Sequence, residues 1–113
     1  MSDITLRELQ HTVDHWISTI GHGYFSPLTN GLVLAEETGE VARALARIYG
    51  DQKAKPSDNL NLSDELADLL WVLTAIANQT GVDLTSALEA NLQKKTSRDL
   101  HRFEPTATED NHQ

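Results

Sequence analysis

Leu6, Leu9, Val13, Trp16, Ile17 and Ile20 recur at intervals of three and four residues, the spacing of one face of an α-helix. Thr5, followed three residues later by Glu8, has the form of a capping box, so a first helix is predicted over roughly 5–20. Residues 21–30, GHGYFSPLTN, break the period with two glycines and a proline and read as a structured connection in which Tyr24 and Phe25 pack. From about Gly31 to Tyr49 the stripe returns through Val33, Leu34, Val41, Ala44, Leu45 and Ile48, with Gly50 as its stop. The polar, aperiodic stretch 51–61 contains Pro56 and reads as a mobile loop. A third helix begins near Ser63 or Asp64, either of which can cap it, and runs to Thr80 before Gly81. Asp83 or Thr85 caps a fourth through about Arg98, with Leu84, Leu88 and Leu92 stacked on one face. The pattern predicts an all-α bundle of about four helices in one domain over 1–103, then a polar, disordered tail over 104–113.

Within the third helix, Leu69 to Ala77 holds only one polar side chain, Thr74. A helix apolar nearly all round needs cover on several sides, more than one short chain supplies, so a homo-oligomer is expected. The size agrees: 113 residues make one small domain that buries only roughly 60–70% of its unfolded surface. Seventeen acidic against nine basic residues, a formal charge of -8, disfavour nucleic acid and anionic membrane surfaces as partners. No cysteine is present, which removes disulfides and thiolate metal sites. Neither a signal pattern nor an apolar run of spanning length occurs, and a cytoplasmic location is expected.

The acids on the second and third helices are placed unusually. In LAEETGEVARAL, 34–45, a helical wheel puts Glu37 in the middle of the apolar stripe and Glu40 at its edge, whereas Glu36 falls outside it, near Arg43 and Arg47. On the third helix Glu65 and Asp68 share the register of Val72 and Ala75. Each helix therefore presents an i, i+3 carboxylate pair on an inward-facing stripe. One buried carboxylate alone costs several kcal/mol, roughly, so a positive partner is required. Hard divalent cations, Mg2+ or Mn2+, suit four converging carboxylates; solvated or ion-paired acids on an outer helix face are the plainer account.

The arrangement Glu36-Glu37-x-x-Glu40, 24 intervening residues, then Glu65-x-x-Asp68 resembles the paired EExxE and ExxD signature of the MazG-like all-α nucleotide pyrophosphohydrolases. The similarity runs through YFSPL (24–28), LADLLWVLTAIAN (66–78) and KKTSRD (94–99), about 95 residues in all, and is strongest toward the short single-domain bacterial type. The resemblance implies Mg2+-dependent cleavage of a nucleoside triphosphate between the α and β phosphates, giving a monophosphate and pyrophosphate, in nucleotide-pool house-cleaning. It implies Glu37, Glu40, Glu65 and Asp68 as metal ligands and Glu36 as the group that orients or deprotonates the attacking water. Lys94, Lys95 and Arg98 match a basic element for the phosphate tail, and Asn78 a substrate contact; helix-dipole and structural roles are the alternatives. Trp16 and Trp71 are candidates to stack on the base, against ordinary core packing. The resemblance also implies a dimer or tetramer.

Other readings are weaker. Glu8-x-x-His11 is a single ExxH where a di-iron bundle needs two, and His11 with His15 has no evident third zinc ligand. No GxxxxGK loop is present. The remaining alternative is a non-catalytic helical oligomeric module that binds nucleotide or metal.

Overall fold

The computed structural model describes residues 2–103, and the expected disordered tail over 104–113 lies outside them. Four helices follow in order: α1 (Leu6–Thr19), α2 (Pro27–Tyr49), α3 (Leu62–Thr80) and α4 (Leu84–Phe103), with no strand among the described residues. The chain forms two compact units, one holding α1 to α3 and ending at Asp83, the other beginning at Leu84 with α4. No described helix is long and apolar enough to cross a membrane.

The expected capping box opens α1. Thr5 Oγ1 accepts from the Glu8 amide at 3.1 Å, and Glu8 Oε1 accepts from the Thr5 amide at 2.8 Å. These bonds, led by the backbone one, favour the charged form and hold the Glu8 carboxyl below its ordinary value. Val13 and Ile17 are the buried residues of α1; they join Ala75 of α3 in the core, with Leu9 and Tyr24 packed against it. A left-handed His22 (φ 61°) and Gly23 (φ 106°) then turn the chain.

α2 begins at Pro27, four residues before the periodic pattern suggests. Proline at the first helical position forgoes only an amide that has no intrahelical partner, and Ser26 caps the end by accepting from the Thr29 amide at 3.2 Å. Read as a breaker, Pro27 conceals one turn of helix. Gly50 ends α2 as expected, but through space rather than left-handed geometry. Its backbone is extended (φ -102°), while a Cβ there would meet the Ala46 carbonyl oxygen at 2.6 Å.

Asn61, not Ser63 or Asp64, caps α3, its side chain accepting from the Asp64 amide at 3.1 Å. Gly81, left-handed at φ 72°, closes the helix. α3 packs against both α2 and α1, burying Val72, Thr74, Ala75 and Ala77. Thr74 satisfies its hydroxyl by donating to the Leu70 carbonyl at 2.7 Å. The segment between α2 and α3 has no regular structure, yet it is tied down. Asp58 accepts from the Lys55 amide at 2.9 Å and lies 3.7 Å from both Arg43 and Arg47 of α2.

In the second unit α4 runs five residues past the expected end at Arg98 and keeps Leu88, Leu92 and Leu100 exposed.

Candidate functional site

α2 and α3 pack side by side, so carboxylates in the inward register of each helix meet. Glu37 of α2 and Glu65 and Asp68 of α3 each direct one carboxylate oxygen into a cluster whose members lie within 4.8 Å of one another. Glu37 and Glu65 are partly buried and Asp68 is exposed, so the cluster opens to solvent on one side. Desolvation first, then the charges of Asp68 and Glu65, push the Glu37 carboxyl above its ordinary value; a hydrogen bond shared with Asp68 and the charge of Glu40 act in the same direction.

The fourth expected ligand is placed differently. The Glu40 carboxylate lies 3.3 Å from the Arg43 guanidinium, outside the cluster, while Arg43 also faces Asp58. The helical wheel sets Arg43 beside Glu36; its ion pairs are instead with Glu40 and Asp58, and Glu36 is exposed.

The donor set fits a hard divalent cation. Three converging carboxylates, with the charge on Glu37 disfavoured by burial and by its acidic neighbours, form a preassembled anionic site, and an oxygen-only set suits Mg2+ or Mn2+. Glu37, Glu65 and Asp68 would hold the ion.

The sequence profile of the MazG nucleotide pyrophosphohydrolase domain matches residues 25–103. The chain belongs to the MazG nucleotide pyrophosphohydrolase family. It is 36% identical over 104 residues to YpjD of Bacillus subtilis (strain 168), covering 91% of this chain and 94% of YpjD. The gene 37 protein of mycobacteriophage L5 is 35% identical over 75 residues, 65% of this chain and 64% of that one. Among solved structures, YpjD from B. subtilis, described as a candidate pyrophosphatase, superposes with a TM-score of 0.73 at 37% identity, covering 83% of this chain and 97% of YpjD. The Bacillus-conserved MazG protein, a nucleotide pyrophosphohydrolase, gives 0.69 at 34% identity over 83% and 91%. The expected all-α MazG-like fold is therefore established.

Within this MazG fold the other expected site residues fall in three places. Trp16 and Trp71 meet edge to face, with ring centroids 5.3 Å apart and planes at 88°. Both rings line a cavity of about 180 Å³. Gly21 sits under Trp16, where a Cβ would approach the ring to 3.0 Å. Asn78 lies ten residues beyond Asp68, about 15 Å along α3. Its carboxamide ties α3 to α1: Oδ1 accepts from Gln10 Nε2 at 3.1 Å, and Nδ2 donates to the Gln10 carbonyl at 3.0 Å and to the Tyr24 hydroxyl at 3.2 Å. The Tyr24 hydroxyl in turn donates to Asp14 at 2.6 Å; burial, then these contacts with Asp14, raise its pKa above the ordinary phenol value. Lys94 and Arg98 lie on α4 in the second unit, Arg98 pairing with its neighbour Asp99 at 2.9 Å.

Two further polar residues carry no signal in the periodic pattern. Asn30, in the first turn of α2, is 94% buried, being 6% exposed, and donates through Nδ2 to Gln79 Oε1 at 2.8 Å. Gln79 donates through Nε2 to the Phe25 carbonyl at 2.6 Å. The periodic pattern leaves Asn30 in the connection before α2, and only recognition of Ser26-Pro27 as a helix start marks it as inward-facing.

Proposed function

We propose that this MazG-family chain is a Mg2+-dependent nucleoside triphosphate pyrophosphohydrolase, which cleaves a (d)NTP between the α and β phosphates to a nucleoside monophosphate and pyrophosphate. The observation that carries the reading is the meeting of Glu37, Glu65 and Asp68 within 4.8 Å across two helices, with the Glu37 charge disfavoured until a cation arrives. A bound divalent ion would neutralise and polarise the phosphates of a polyanionic substrate. Glu40, paired with Arg43, is the reserve ligand one turn from Glu37. Glu36, exposed and outside the cluster, is assigned to orient the attacking water and take its proton. Water oxygen bonds to the α phosphorus, the bond from that phosphorus to the bridging oxygen breaks, and pyrophosphate leaves. Lys94 and Arg98 are assigned to the phosphate tail on their charge and the family resemblance, and Trp16 and Trp71 to the base. Asn78 is assigned an indirect part, holding Tyr24 at the edge of the aromatic cavity.

A second copy of the chain is proposed to complete the fold, because Leu66, Leu70 and Leu73 of α3 are between 42% and 48% exposed. Nucleotide-pool house-cleaning in the cytoplasm is the proposed setting. The test is pyrophosphate release from canonical and modified nucleotides with Mg2+ and with EDTA, on wild type and Asp68→Asn. Mg2+-dependent release that Asp68→Asn abolishes is expected. Metal-induced stabilisation without turnover of any triphosphate would establish a binding module instead.

A further inference from the structure

We infer that the MazG site selects bases bearing an exocyclic amine, cytosine and adenine, over their keto counterparts, and that Asn30 makes the selection. The inference rests on the proposed nucleotide chemistry and adds the identity of the base.

The cavity lies where a base would be expected. Trp16, Trp71, Tyr24, Phe25, Val33 and Asn30 are among its lining residues, and its volume is about 180 Å³. Val33 precedes Glu37 by one helical turn on α2, and Trp71 follows Asp68 by one turn on α3. Asn30 lies seven residues before Glu37, about 10 Å along the axis, a separation that a ribose and an α-phosphate can span. The walls are aromatic and aliphatic, so an inserted base is held by its faces and read by the few polar atoms present.

The indole N–H groups of Trp16 and Trp71 are fixed donors, while the polarity of the buried Asn30 carboxamide is set by its neighbours. The Phe25 carbonyl can only accept, so Gln79 must turn its amide nitrogen toward it. Gln79 Oε1 is thereby directed at Asn30, which must answer with Nδ2. The chain of bonds leaves Asn30 Oδ1 as an acceptor that no donor among the described residues reaches, on a side chain more than nine-tenths buried. A buried acceptor left unpaired is costly. The 4-amino group of cytosine or 6-amino group of adenine supplies the missing proton. The carbonyl of uracil or hypoxanthine at the same position sets two acceptors against each other, and Asn30 cannot flip without breaking the Gln79 relay.

The test has two arms. In the first, kcat/KM is measured for dCTP against dUTP and ATP against ITP with Mg2+. A preference for the amino member of each pair by about ten- to one-hundred-fold is expected. Gln79→Leu frees the Asn30 carboxamide to rotate and should narrow the ratio, whereas a purely structural loss lowers both rates together. Asn30→Leu, which removes the acceptor, should remove the preference. The second arm needs no turnover. Trp16 and Trp71 are the chain's two tryptophans and both line this cavity, so intrinsic fluorescence reports occupancy by CMP or UMP. Tighter binding of CMP supports the inference. Equal or stronger use of the keto members in both arms overturns it, while CMP selectivity without hydrolysis of any triphosphate overturns the proposed reaction and leaves the base selection standing.

Discussion

Replacing Glu37 by glutamine should move the protein's stability in opposite directions with and without metal. Glu37 faces Glu65 and Asp68 at separations within 4.8 Å. At that distance two unit charges repel by about 0.9 kcal/mol even under full water screening, so removing one charge from two such pairs relieves about 2 kcal/mol before salt. For a chain of this size that corresponds to a rise in Tm on the order of 5 °C or more in EDTA. With a divalent ion the balance reverses. One carboxylate attracts a dication by about 2 kcal/mol at 4 Å in water and by more where solvent is partly excluded, so affinity should fall at least about thirtyfold. The stabilisation that Mg2+ or Mn2+ confers on wild type should then vanish at concentrations that saturate it. Thermal unfolding of both proteins across a metal titration measures the two effects together. A Glu37→Gln variant that is less stable in EDTA, yet gains as much from metal as wild type, would refute the cluster as a cation site and make Glu37 a structural group.

Three further outcomes follow from the structure. Because the Glu37 carboxyl is raised above its ordinary 4.5 in the folded state, folding favours its proton; that contribution is present at low pH and lost as pH rises through the folded value, so in EDTA the stability gap favouring Glu37→Gln should widen with pH, as differential calorimetry at several pH values will show. Tyr24→Phe deletes hydroxyl bonds to Asp14 and Asn78 while Asn78 keeps Gln10, and should cost about 1–2 kcal/mol in urea unfolding, with helix content unchanged. Gly50→Ala places a Cβ against the Ala46 carbonyl oxygen and should cost about 1–3 kcal/mol by the same measurement, despite alanine's better helix propensity.

Helix positions and the existence of the carboxylate cluster are legible in the sequence because both depend on periodicity. Register alone places Glu37, Glu65 and Asp68 on inward stripes, and any side-by-side packing of α2 on α3 brings such stripes together. Side-chain choice is not legible. Glu40 has almost the same angular claim on the cluster as Glu65, yet Arg43 at i+3 competes for it, aided by Asp58, whose position depends on a fold of the 55–58 segment that carries no periodic signal. The start of α2 is obscured for a related reason: proline ends a helix from within and begins one from outside, and only the cap formed by Ser26 distinguishes the two. Asn30 is hidden by that same turn.

The site and the small core share one cause. The residues of this first unit that are nearly inaccessible are mostly short: Ala44, Ala75, Ala77, Thr74 and Val13. Short side chains at helix contacts let backbones approach closely, and close approach is what allows carboxylates on neighbouring helices to come within 4.8 Å. A core rebuilt from leucine would bury more area and separate α2 from α3, weakening the candidate cation site while strengthening apolar packing. The large apolar side chains are accordingly displaced outward: Leu66, Leu70 and Leu73 stay part-exposed on α3, and Trp16 and Trp71 line a cavity instead of filling it. The modest core is thus the structural counterpart of a preassembled anionic site beside an open aromatic one, and the repulsion that Glu37→Gln relieves is the energetic measure of that arrangement.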